Sequence, residues 1–171
     1  NMRSNPTLSH GTFSGNTGGS ASVYNWGSSP VLSNSVFWGN TSNAGFTMEM
    51  WNGTLQVHAG GVTALIESTP TITFTASETG FAGVGNITLT SLPFVAEPSS
   101  GSDAQWGTDD DIVPELAFGS TCIDAGNNTA LAQDGADLDG DGDLTELLPL
   151  DLYMNPRLIG PTVDLGAYEA Q

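Results

Sequence analysis

Two stretches of this chain repeat at a spacing of 24 residues, and that period restricts the possible folds more than any other feature. NPTLSHGTFSGNT (5–17) aligns with SPVLSNSVFWGNT (29–41). Pro6 falls on Pro30, Leu8 on Leu32, Ser9 on Ser33 and Phe13 on Phe37, and Gly15, Asn16 and Thr17 fall on Gly39, Asn40 and Thr41. A unit this short has no room for a pair of helices. It suits one coil of a β-solenoid, with about three short strands joined by tight turns, each coil hiding its apolar row only by stacking on the next. Leu8, Phe13, Leu32 and Phe37 are the expected columns. Gly-Asn after each Phe suits a corner, because both residues tolerate left-handed backbone angles. Asn16 over Asn40 is the expected amide ladder.

Later repeats are degenerate. TLQVH (54–58), TALIE (63–67) and TITFT (71–75) alternate or carry β-branched residues and read as strands. GFAGVGNITL (80–89) reads as a Gly-rich turn into another strand, and 96–111 as an acidic, Gly/Ser-rich loop. Residues 112–125 bring apolar content around Leu116, Phe118, Cys122 and Ile123, 126–161 are mostly loop, and TVDLGAYE (162–169) closes on the end. With 22 Gly and only two basic residues, Arg3 and Arg157, long helices are disfavoured and short strands with frequent turns favoured. The expected fold is all-β: a parallel β-helix over 1–98, with 99–171 as an irregular, acidic C-terminal cap on its end.

The net charge is −17, unevenly spread. Glu49, Glu67, Glu78 and Glu97 are the acids of 1–98, and the remaining fifteen follow. Such a chain repels nucleic acid and anionic membranes, which need a basic footprint. No apolar run reaches membrane-spanning length. The lone Cys122 excludes an internal disulfide and reads as a buried, inert thiol. No signal peptide is visible and the chain does not begin at Met, so it reads as a mature or fragmentary piece of a longer protein.

Crowded acids repel unless a cation joins them, and DLDGDGDLTE (137–146) is the strongest such signal. Asp137, Asp139, Asp141 and Asp143 occupy positions 1, 3, 5 and 7, with Gly142 at position 6 to permit a sharp turn. Position 12, where an EF-hand places a bidentate Glu, is Leu148, so the loop departs from that pattern. Glu146 or Asp151 can complete the shell. Calcium is the expected ion, since magnesium prefers fewer carboxylates and more water; the alternative is a solvated acidic loop. GTDDD (107–111) is a second candidate: two of Asp109, Asp110 and Asp111 is the realistic ligand count, with Asp109 and Asp111 the pair taken and an exposed acidic turn the alternative. Asp103, Asp124 and Asp164 are possible helpers, although Asp124 and Asp164 fit side-chain-to-backbone bonds that fix turns better.

Catalytic groupings are missing. Polysaccharide lyases of β-helical fold need a Lys or Arg base beside calcium; this chain has no Lys, and its two Arg lie at the start and in the cap. Paired-carboxylate hydrolysis needs two acids at a set separation, and the coils offer only Glu49 and Glu67. His10 and His58 are solitary. Among Tyr24, Trp26, Trp38, Trp51 and Trp106, Trp38 follows the inward Phe37 and alternation turns it outward, where it can stack on a sugar or a partner; packing under a neighbouring loop is the plainer reading.

NPTLSHGTFSGN, SPVLSNSVFWGN, GNITLTSLPFVAEP (85–98), GTDDDIVPELAFGSTCIDAGNN (107–128), DLDGDGDLTE and NPRLIGPTVDLGAYE (155–169) together resemble the C-terminal portion of bacterial right-handed parallel β-helix repeat proteins of the choice-of-anchor Q type. CIDAGN followed by a terminal VDLGAYE is the most specific pairing. The family often has an Asp before the Pro of a PLFV stretch; here that residue is Leu92. The resemblance implies a right-handed helix, an exported protein found outside the cell or on its surface, and a sorting or anchoring signal beyond this region; the family has no general enzymatic assignment, so the resemblance supports none for this chain. The expected function is a structural or adhesive surface module with a calcium-stabilised cap, meeting another surface protein or a second copy of itself. The alternative is a carbohydrate-binding or polysaccharide-processing protein with a glycan as partner.

Overall fold

A computed structural model describes residues 2–19, 21–42, 50–53, 55–59 and 62–170. Its strands are β1 (Thr7–Ser9), β2 (Thr12–Ser14), β3 (Val23–Trp26), β4 (Val31–Trp38), β5 (Met50–Gly53), β6 (Leu55–Ala59), β7 (Val62–Ile66), β8 (Thr71–Ser77) and β9 (Ile87–Thr88). One 3-10 turn, Asn128–Ala130, is the helical content of the described residues.

The repeat sets the strand register. β1 and β2 pair in parallel with β4, placing Leu8 beside Leu32 and Phe13 beside Phe37. The two Phe rings stack at 4.5 Å and 8°. Asn16 Nδ2 donates to Asn40 Oδ1 at 2.9 Å, and Gly15 and Gly39 turn the corner before it at φ 64° and 65°. β4 pairs in parallel with β8, Leu32 beside Ile72, and β8 with the short β9. His10, Asn34 and Phe74 share one register position, and all three have positive φ (55°, 49° and 47°). Each bends its layer at the same place. Two smaller sheets complete the strands: β3 with β5 in parallel, and β6 with β7 antiparallel.

These pairings correct the expected fold class. The described residues form a small strand-and-coil fold with a parallel sheet and no long stack of coils. The parallel ladder thins to two residues at β9. TLQVH and TALIE do not make successive coils; β6 and β7 form a hairpin looped out between β4 and β8. After β9 only isolated bridges and the 3-10 turn remain. The segment after β9 packs against the sheet. Gly166 N donates to Asn34 O, Ala167 N donates to Thr12 Oγ1 at 3.0 Å, and Leu116, Cys122 and Leu165 join Val36, Ala76 and Leu89 in one buried cluster. A solenoid reading assumes one inward row per strand and water on the other side. In β4 both faces are covered: Leu32 and Phe37 belong to one cluster and Val36 to the other, all fully buried. Each such side chain stabilises the fold by roughly 1.5–3 kcal/mol, so the second face is a core in its own right.

Candidate metal centre

Residues 134–146 form a loop with a closed neck. Gln133 and Leu147 make an antiparallel bridge, Asp134 N donates to Glu146 O at 2.9 Å and Leu148 N to Ala132 O at 2.8 Å. Asp134, only 1% exposed, steers the first turn by accepting from Ala136 N and Leu138 N. Left-handed residues at Asp137, Gly140 and Gly142 (φ 53°, 78° and 88°) then fold the loop on itself, and Gly142 N donates back to Asp137 Oδ1 at 3.1 Å. Asp139, Asp141 and Asp143 each accept from the backbone N–H two residues on. This repeated short turn brings alternate carboxylates together.

Two groups result, each with its oxygens within 4.8 Å of one another: Asp137, Asp139 and Asp141, and Asp134, Asp139 and Glu146. Asp139 belongs to both. Glu146 Oε1 is buried without a hydrogen-bond partner among the described residues. Desolvation, then the charges of Asp139, Asp141, Asp143 and Asp134, push the Glu146 carboxyl above its usual range. Hard oxygen donors in this arrangement can hold a metal ion, and repulsion among them is what such an ion relieves.

Of the acids expected from the sequence, Asp137, Asp139, Asp141 and Glu146 are brought together. Asp143 is turned to Thr145, whose hydroxyl and N–H both bond its Oδ1 (2.7 and 2.8 Å) and hold its carboxyl below the usual range. Asp151 lies apart, accepting from Tyr153 N, Asn155 N and Glu169 N. Asp134 escaped the sequence reading. Its only signal was an Asp-Gly turn just ahead of the alternating run.

Asp109 and Asp111 belong to neither group. Within that run Asp110 closes the loop by accepting from Ser102 N, Ser102 Oγ and Thr108 Oγ1, which lower it to about 2. Asp111 Oδ2 accepts from Gly107 N and Thr108 N. Asp164 accepts from Asp124 N and Ala170 N, both at 2.7 Å, fixing two turns. Trp38 is half-buried against the Val36 cluster, with its Nε1 donating to Glu97 Oε1 at 3.2 Å. Cys122 is fully buried, and burial pushes its thiol up to about 11. Glu49 and the side chains of Trp51 and His58 lie outside the described residues.

No family model, curated protein or solved structure matches this chain.

No helix among the described residues is long and apolar enough to cross a membrane.

Proposed function

We propose that this chain is a non-catalytic, exported module, structural or adhesive in role, whose acidic segment is held in shape by calcium. The observation that carries this reading is the pair of carboxylate groups sharing Asp139, with Glu146 Oε1 buried, unpaired among the described residues, and set between charges of its own sign. Calcium suits a flexible, carboxylate-rich loop better than magnesium, which demands near-ideal octahedral geometry and keeps its waters. Extracellular calcium modules bind at about 10⁻⁴–10⁻³ M, so an exposed loop of this kind fills outside the cell. The resemblance of its motifs to exported proteins of the choice-of-anchor Q type agrees with that compartment. A second surface protein or a second copy of the chain is the partner such a module would meet.

The test is a melting curve in chelator, in calcium and in calcium-free salt. Chelation is expected to lower Tm by roughly 5–10 °C, the order of a 2–3 kcal/mol loss for a chain this size. Calcium should restore it and sodium chloride should not. Asp139→Asn, which touches both groups, should abolish the calcium response. Superimposable curves with and without chelator would remove the calcium reading.

A further inference from the structure

A cleft of about 610 Å³ lies where β2 meets the acidic loop and the C-terminal segment. Thr12 and Ser14 line it from β2, Trp106 and Asp111 from the loop, and Leu152 and Tyr168 from the C-terminal segment. Its volume falls in the roughly 300–1,000 Å³ range of small-molecule sites.

Three features bear on the occupant. Trp106 is 62% exposed, a broad apolar ring left in water at a cavity. Asp111 Oδ1 and Ser14 Oγ each lack a hydrogen-bond partner among the described residues and are sheltered from solvent, while Asp111 Oδ2 is held in place by Gly107 N and Thr108 N. Asp111 is the one carboxylate lining the cleft, and no basic side chain lines it among the described residues. In a chain of net charge −17 an anion is disfavoured there. The complementary ligand therefore offers a flat C–H face, several hydroxyl donors and no negative charge.

We infer that this cleft binds an uncharged sugar unit, with its ring face on Trp106 and its hydroxyls on Asp111 and Ser14. Aromatic rings present apolar area at little entropic cost, and a hydroxyl donating to an ionised carboxylate makes a stronger bond than one between neutral groups. Engagement involves a local side-chain adjustment, because both oxygens are covered in the free chain. The cleft is separate from the metal centre, since Asp111 is outside both carboxylate groups there.

The test is calorimetric titration of the whole chain, with calcium and with chelator, using glucose, galactose, N-acetylglucosamine, cellobiose and glucuronate. At least one neutral sugar is expected to bind saturably. Trp106→Ala and Asp111→Asn should each weaken it about tenfold or more, Trp106→Phe should retain most of the affinity, and glucuronate should bind at least about tenfold more weakly. Trp106→Ala should melt where the parent chain does, because the ring is exposed. The inference is overturned if none of these neutral sugars binds at tens of millimolar in either condition. It is equally overturned if binding survives both Trp106→Ala and Asp111→Asn. Calcium uptake lost in Asp111→Asn, without any sugar effect, would make Asp111 a cation ligand instead. Failure of the chelator melting test leaves this inference standing, because its groups are different.

Discussion

His10 sits at the bend of the first layer with its ring buried. Asn34 Oδ1 accepts from Asn127 N, so Asn34 Nδ2 is the donor to Asn127 O and to His10 Nε2 at 2.9 Å. His10 Nε2 therefore accepts, and the ring proton resides on Nδ1, which has no partner among the described residues. Burial, reinforced by the Arg157 guanidinium, pulls His10 from 6.5 down to about 3. Between those values the unfolded chain takes up a proton that the folded chain refuses, so this contribution to stability is lost as pH falls from 6.5 toward 3. Glu169 acts in the opposite sense. Burial raises it from 4.5 to about 7, so the folded chain keeps a proton that the unfolded chain releases. Its contribution is full below pH 4.5 and disappears as pH rises through about 7. Urea midpoints measured from pH 3 to 8 should show both limbs. His10→Asn, which tolerates the left-handed backbone, should flatten the acid limb, and Glu169→Gln the neutral one. Slopes unchanged in both variants would show that neither group titrates differently on folding.

At the scale of the element, β4 is the strand on which both cores meet. Phe37 stacks on Phe13 and meets Phe81 edge-on at 5.6 Å, and truncating it to Ala should cost about 3–5 kcal/mol. Asn34, in the middle of the same strand, exchanges two hydrogen bonds with the Asn127 backbone. Asn34→Ala removes both and places a Cβ-bearing residue without a polar side chain at φ 49°. A loss of about 3 kcal/mol is expected in urea denaturation, and Asn34→Gly should recover the backbone share but not the hydrogen bonds. Equal losses for Ala and Gly would mean that the backbone angle carries no strain. This strand also shows what the sequence made readable. The period of 24 put Leu8 beside Leu32 and Phe13 beside Phe37, because identical inward rows pair only in that register. It could not show that Val36 faces a second core. A valine among Ser and Asn reads as solvent-facing until its partners, Cys122 and Leu165, are brought in from far along the chain. The hairpin β6–β7 was hidden for a related reason, since a short apolar strand carries no mark of parallel or antiparallel pairing. In the acidic loop, alternation of Asp named most of the converging oxygens, while Asp134 joined them through a neck closed by backbone bonds that leave no compositional trace.

For the whole molecule, the acidic loop and the sheet are joined through the segment that follows the loop. Arg157, 2% exposed, donates from Nη2 to Gly166 O at 2.5 Å and to Asp164 O at 3.5 Å, and Gly126 N donates to Val163 O. With calcium bound as proposed, chelation should therefore loosen the molecule unevenly. Amide exchange is expected to accelerate in 132–148 and, less strongly, in 151–169, while β4 and β8 stay protected. Uniform acceleration would show instead that loop and sheet open together. The bond from Ala167 to Thr12 spans 155 residues of sequence. During synthesis β2 must wait, one flank bare, until residue 167 has left the ribosome. Contacts closing so large a loop slow the final collapse, and a nascent chain with that flank uncovered is the form most exposed to self-association.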